Sequence, residues 1–202
     1  MSAERIRGRI LTLGGGGFSM SPDGTSLIDD HLLELTGQRR PKVCFVPTAS
    51  GDSAEYCGRF EVAFKDRADS TVLSLFGGKP FRYTDPRMLL DQDVVYVGGG
   101  STVNLLAVWR QHGMPDILRQ AAVQGTVLAG ISAGMNCWFE ASSTDSYGTL
   151  GPLRDGLGFL QGGACPHLLG EEHRRSRLRE WVATGGDAHD LRRGRSRGAP
   201  VA

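Results

Sequence analysis

The sequence predicts an α/β protein in which a mostly parallel sheet lies between two layers of helices. Three observations carry that expectation. Short β-branched runs alternate with segments of helical period, and glycine or a capping residue marks each junction. Val43, Cys44, Phe45 and Val46 form an unbroken apolar run, as in a strand buried on both faces. Helix-length connections between successive strands then give right-handed βαβ units and a three-layer αβα architecture.

Taken in order, Arg9–Leu13 reads as the first strand and Gly14–Gly17 as a tight loop after it. Thr25–Thr36 carries Leu27, Ile28, Leu32 and Leu35 on one face, and Gly37 is placed to stop that helix. Lys42–Pro47 is the second strand, followed by a helix capped by Asp52 or Ser53 that runs to about Phe64. Ser70–Phe76 is a third strand, Met88–Leu90 a short helical piece, and Val94–Val97 a fourth strand entering Gly98-Gly99-Gly100. Ser101 caps the next helix, which closes near Gly113; Pro115 opens another, running to Gln124, where its missing N–H costs nothing. Thr126–Ala129 is the fifth strand, and Gly130–Gly134 turns sharply out of it. Cys137–Ser143 and Leu157–Leu160 are expected strands, and Glu171–Ala183 a last helix ending at Gly185-Gly186. One domain is expected over residues 1–186, with 187–202 an Arg/Gly-rich tail that lacks periodicity and is expected to be disordered.

With 202 residues, 40% of them hydrophobic, the chain can bury a core without disulfides or metal. The net charge is +1, but residues 171–202 carry +3, which leaves −2 on the rest and no broad basic field for nucleic acid. No apolar run approaches the roughly 18 residues of a membrane span. Met1–Arg9 carries Glu4, Arg5, Arg7 and Arg9 with no apolar stretch behind it, so no secretory signal is expected. Cys44, Cys57, Cys137 and Cys165 lie far apart without C-x-x-C spacing, which argues against zinc and a disulfide framework. Reduced thiols and a cytoplasmic location are the expectation.

Gly130-Ile131-Ser132-Ala133-Gly134 is a G-x-S-x-G motif with a strand before it and a helix start after it. That context is what a nucleophile elbow needs, because a strained strand-to-helix turn lifts the serine Oγ above the sheet edge. An oxyanion hole would take one N–H from Ala133 and another from the Gly98-Gly99-Gly100 loop, where small residues let backbone approach a developing charge. The triplet could instead hold a phosphate, since Ser101 and Thr102 open a helix behind it. Among five histidines, His167 in Cys165-Pro166-His167 follows a strand-like segment and is the candidate general base. Asp145 lies between serine and histidine in chain order and is the candidate orienting acid, with Glu140 and Asp155 as rivals. Gly14–Gly17 does not complete a dinucleotide fingerprint, because Ser19 stands where its last glycine belongs. Arg174, Arg175 and Arg177 form either a solvated face or a clamp on a substrate carboxylate.

From Ile10 to Trp181 the sequence resembles the peptidase E (aspartyl dipeptidase) and cyanophycinase family of serine peptidases. The resemblance rests on Val94, Tyr96 and Val97 leading into Gly98-Gly99-Gly100-Ser101-Thr102 with Asn104-Leu105-Leu106, then Gly130–Asn136, then Cys165-Pro166-His167. It implies a flavodoxin-like sheet of the class I glutamine amidotransferase type, with serine at the elbow in place of cysteine. It implies Ser132 as nucleophile, His167 as base, and Gly99, Gly100 and Ala133 as the oxyanion hole. The implied reaction removes an N-terminal aspartate from a dipeptide or short peptide without metal or cofactor, and Arg174 is the implied reader of the aspartate carboxylate. The resemblance leaves the triad acid open between Asp145 and a downstream acid that the Gly185–Asp190 region does not match, so a truncation or frame change near Gly186 is expected. A small peptide is the expected partner, with the chain as monomer or homodimer. An α/β esterase and a non-catalytic binding homologue remain as alternative functions.

Overall fold

The structure, a computed structural model, describes residues 6–77 and 82–183. Five parallel strands make the main sheet: β1 (Ile10–Leu13), β2 (Lys42–Val46), β3 (Asp69–Val72), β4 (Val94–Val97) and β5 (Val127–Ile131). Their spatial order is β1-β5-β4-β2-β3. Read from β3, this is the flavodoxin order with the N-terminal strand occupying the far edge. Side chains alternate between two apolar clusters, as strand geometry requires. Val43, Phe45, Val94 and Tyr96 face α1 (Leu27–Glu34) and α2 (Ala54–Phe64). Cys44, Val46, Val95 and Val97 face α3 (Thr102–Gln111), α4 (Met114–Gln124) and the one-turn α5 (Ala133–Asn136). All eight of these residues are fully buried, so the unbroken apolar run means what the sequence suggested. No helix among the described residues is long and apolar enough to cross a membrane.

A second, three-stranded sheet follows: β6 (Phe139–Thr144), β7 (Gly151–Leu153) and β8 (Leu160–Ala164), in the order β7-β6-β8. The chain closes with α6 (Glu172–Ala183). Sequence reading missed β7, a three-residue strand containing Pro152 that exists because it pairs antiparallel with Ser142–Thr144. The strand expected at Leu157–Leu160 instead starts at Leu160 and runs through Gln161-Gly162-Gly163, where no β-forming residue announces it. It is held by parallel pairing with β6 across an irregular register. The fifth strand runs two residues further than expected, because Thr12↔Gly130 and Leu13↔Ile131 keep it paired to β1 up to the elbow. Ser53, rather than Asp52, accepts the capping bond of α2, from the Tyr56 N–H.

The face of α1 also differs from expectation. Leu32 is buried, but Leu27 is 84% exposed and Ile28 40%. Asp29 takes the inward place and is fully buried. The proposed tail 187–202 and the glycines at its start lie outside the described residues.

Candidate active site

The elbow is built by close backbone contact. β5 delivers Ser132, whose N–H donates to Leu13 O at 2.9 Å and whose carbonyl accepts from the N–H groups of Met135 and Asn136. Ser132 adopts φ 54, ψ −110, a conformation a side-chain-bearing residue holds only under constraint. The flanking glycines supply that constraint. A Cβ on Gly130 would stand 2.0 Å from Gly134 O, and one on Gly134 would stand 2.3 Å from Val97 O.

His167 reaches the serine from 35 residues away in sequence. Its Nε2 lies 2.9 Å from Ser132 Oγ. Its own backbone is also in the left-handed region, at φ 56, held by its N–H on Gly14 O and by Gly170 and Glu171 N–H groups on its carbonyl. The glycine loop after β1 lies along the other edge of the ring, where a Cβ on Gly15 would be 3.3 Å from Nδ1. Glycine is needed there for close approach, and no nucleotide need be invoked.

Asp29 fixes that loop. It is fully buried; Oδ2 accepts the Phe18 N–H at 2.6 Å and Oδ1 accepts the Tyr96 hydroxyl at 3.2 Å. Phe18 itself is wedged among Phe45, Tyr56, Phe60, Phe64 and Tyr96, with ring centroids 5.5 to 5.9 Å away. Nothing in the local sequence distinguishes Asp29 from a surface acid in a first helical turn. Burial pushes its carboxyl above the ordinary value, against the hydrogen bonds from Phe18 and Tyr96. Because the folded protein then holds the proton more tightly, Asp29's contribution to stability is full below about pH 4 and is lost as pH rises through the raised value. Asp29→Asn removes that titration. Thermal melts are therefore expected to favour the variant over the parent increasingly as pH climbs from 4 to 7, and a constant difference would refute the assignment.

The Gly98-Gly99-Gly100 loop lies against Ser132: a Cβ on Gly99 would be 3.4 Å from Ser132 Cβ. Gly99 N–H donates to the Tyr56 hydroxyl at 3.2 Å, while Gly100 N–H has no partner among the described residues. Gly100, at φ 138, brings the loop so close to Ala49 that a Cβ would sit 2.2 Å from its carbonyl oxygen. Ser101 caps α3 through Asn104 N–H, and Thr102 Oγ1 accepts from Asn136 Nδ2. These hydroxyls are thus committed to the fold rather than presented to a phosphate. Asn136 is buried; its Nδ2 also donates to Ser143 O, so it ties α3, α5 and β6 together behind the serine. Sequence reading gave it no role.

The acids fall differently from expectation. Among the described residues, no carboxylate hydrogen-bonds His167 Nδ1. Asp145 accepts from Arg174 Nη2 at 2.8 Å, Glu140 accepts from Gly162 N–H, and Asp155 pairs with Arg110. Arg174 is buried, and its Nε also donates to Glu171 at 2.6 Å. Burial works against its charge, yet Glu171 and Asp145 more than compensate and hold its pKa above the ordinary value. Glu171 in turn is lowered by its hydrogen bond to Arg174. So the structure brings Ser132, His167, Ala133 and the glycine loop together, and brings Asp145 and Arg174 to each other. The buried thiols are no rivals to the serine. Desolvation pushes Cys44 and Cys57 up to about 12 and Cys137 well above its usual value.

A model of peptidase family S51 matches residues 10–191. The chain belongs to that family. It is 48% identical over 176 residues to the uncharacterized peptidase YgaJ of Bacillus subtilis, across 87% of this chain and 75% of that one. A peptidase E of Streptomyces coelicolor is 29% identical over 166 residues, covering 76% of this chain and 66% of the relative. In fold, the S51 chain is similar to the crystal structure of a peptidase from an acI-B1 actinobacterium, with a TM-score of 0.61 at 16% identity, covering 93% and 76% of the two chains. The resemblance read from the three motifs thus stands, and this S51 protein is a peptidase.

Proposed function

We propose that this S51 peptidase is a serine exopeptidase acting on small peptides, with dipeptides bearing N-terminal aspartate as the preferred class. The observation that carries the serine mechanism is the 2.9 Å contact between His167 Nε2 and Oγ of Ser132 on its strained elbow. On this reading His167 takes the Oγ proton as Ser132 attacks the scissile carbonyl, forming a tetrahedral oxyanion. The N–H groups of Ala133 and Gly100 receive that charge; Gly99, whose N–H is held by Tyr56, shapes the loop. His167 then gives its proton to the departing amine, leaving an aspartyl-serine ester. Water, deprotonated by the same histidine, cleaves the ester and restores Ser132. Asp145 is the acid this reading assigns to His167, a role open to it only off Arg174. Arg174 supports the aspartate preference, since Nη1 has no partner among the described residues and, with Nη2 freed from Asp145, would complete a fork for a carboxylate.

The test compares purified protein on Asp-Leu, Asn-Leu and a short-chain ester. Release of aspartate from Asp-Leu is expected to exceed cleavage of Asn-Leu by about 10²-fold or more in kcat/KM, because a fork built for a carboxylate is left unpaired by an amide. Equal rates on the two dipeptides would remove the acidic preference, and faster ester cleavage would favour the esterase reading.

A further inference from the structure

Arg174 and Asp145, each expected at the site for a different reason, are bonded to one another, and this pairing defines how a substrate carboxylate gains entry. Resting on the aspartate-reading role of Arg174, the geometry points to carboxylate exchange: Asp145 occupies the place on Arg174 that the substrate's side-chain carboxylate takes over.

Four features support the exchange. The Arg174 side chain is only 5% exposed, whereas that of Asp145 is 58% exposed. Asp145 is thus the covering group, and it can turn into water without losing solvation. Asp145 engages the guanidinium through one oxygen on Nη2. A free carboxylate can use Nη1 and Nη2 together, gaining the second parallel bond that Asp145 does not make. Glu171 holds Nε from three residues earlier on the same turn, so the guanidinium keeps its aim when Asp145 leaves. The pair is also tied through its neighbours to the segments that carry the oxyanion loop and His167. Asp145 follows Thr144, whose hydroxyl is 3.4 Å from that of Thr102, two residues after Gly100 of the oxyanion loop. Glu171 donates its N–H to the carbonyl of His167.

Asp145 therefore acts as an internal competitor. It keeps a buried cation neutralised while the site is empty and sets a threshold that only a carboxylate-bearing ligand crosses. Because Asp145 binds through one oxygen and keeps 58% of its side chain in water, it gives up little when it leaves, while an incoming carboxylate keeps the buried guanidinium paired.

Binding of Asp-Leu, measured by calorimetry in a Ser132→Ala background so that no turnover intervenes, tests the exchange. Adding Asp145→Asn is expected to tighten Asp-Leu binding about three- to tenfold and leave Asn-Leu unaffected. Asp155→Asn removes the same unit of charge from the Arg110 pair and is expected to leave Asp-Leu affinity unchanged, which separates displacement from a general field effect. Equal Asp-Leu affinity with and without Asp145→Asn, or equal tightening by Asp155→Asn, would overturn the exchange while leaving the substrate reading intact. Failure of Ser132→Ala protein of parental melting temperature to bind Asp-Leu in either background would overturn the substrate reading and the exchange together.

Discussion

Ser132→Ala is expected to lower kcat on Asp-Leu by at least about 10⁴-fold without lowering the melting temperature by more than a degree or two. The loss follows from what Oγ does. It is the atom in contact with His167 Nε2, and among the described residues no other side chain hydrogen-bonds that nitrogen. Cys137, five residues on, is fully buried, its thiol donates to Gly134 O, and desolvation holds its pKa well above the usual value. A thiolate therefore does not form there. Stability is spared because removing one hydroxyl leaves the elbow's backbone bonds in place. His167→Ala is expected to fall by a similar factor, and the double variant by little more than either single one, because the two side chains act as a unit. Additive losses, or a Ser132→Ala protein that keeps a tenth of its activity, would refute the serine mechanism. Single-turnover kinetics beside a thermal melt make the measurement.

The second large effect is structural. Gly134→Ala is expected to cost about 3 kcal/mol or more, as overpacking against an immovable wall does. For a chain of this size that corresponds to a fall in Tm of roughly 6–12 °C. The added methyl would meet Val97 O at 2.3 Å and Val97 Cβ at 2.9 Å. β4 cannot retreat, since it is paired with β2 on one side and β5 on the other. Gly58→Ala is the contrast. It lies within α2, has nothing within 4 Å of its would-be Cβ, and is expected to gain about 0.5–1 kcal/mol from helix propensity. Chemical denaturation of the two variants separates glycines required for close approach from one that is not. A neutral Gly134→Ala would mean that the elbow is looser than its contacts indicate.

Much of the architecture was legible because local and global preferences agree. Ser26, Ser53 and Ser101 each accept the capping bond of a helix, and a two-sided apolar run such as Val43–Val46 has few homes other than an inner strand. The elbow was legible for a sharper reason. Its glycines are demanded by contacts within five residues and with the next strand, so the motif carries its own geometry in sequence. The second sheet was not legible. Pro152 and the glycines of Leu160–Ala164 have weak strand preference, and the pairing that makes them strands comes from β6. Asp29 was missed because its position in a first helical turn reads as ordinary surface charge. Only the arrival of Phe18 and Tyr96 from elsewhere in the chain makes it a buried anchor.

By itself, then, the sequence determined the parallel αβα frame, the serine at the strand-to-helix turn and the glycine loop beside it. Periodicity and caps encode the frame, and the placing of glycine and serine between strand and helix marks the two loops, although the backbone walls that require Gly100 and Gly134, at Ala49 O and Val97 O, come from distant segments. Only the tertiary structure decided which charges meet. Asp145, Glu171 and Arg174 are ordinary charged residues in the chain, and any carboxylate can pair with any guanidinium that comes within about 3 Å. Glu171 and Arg174 meet locally, three residues apart, but the pairing of Asp145 with Arg174 depends on where β6 and α6 come to rest, and that is settled by the packing of segments distant in sequence.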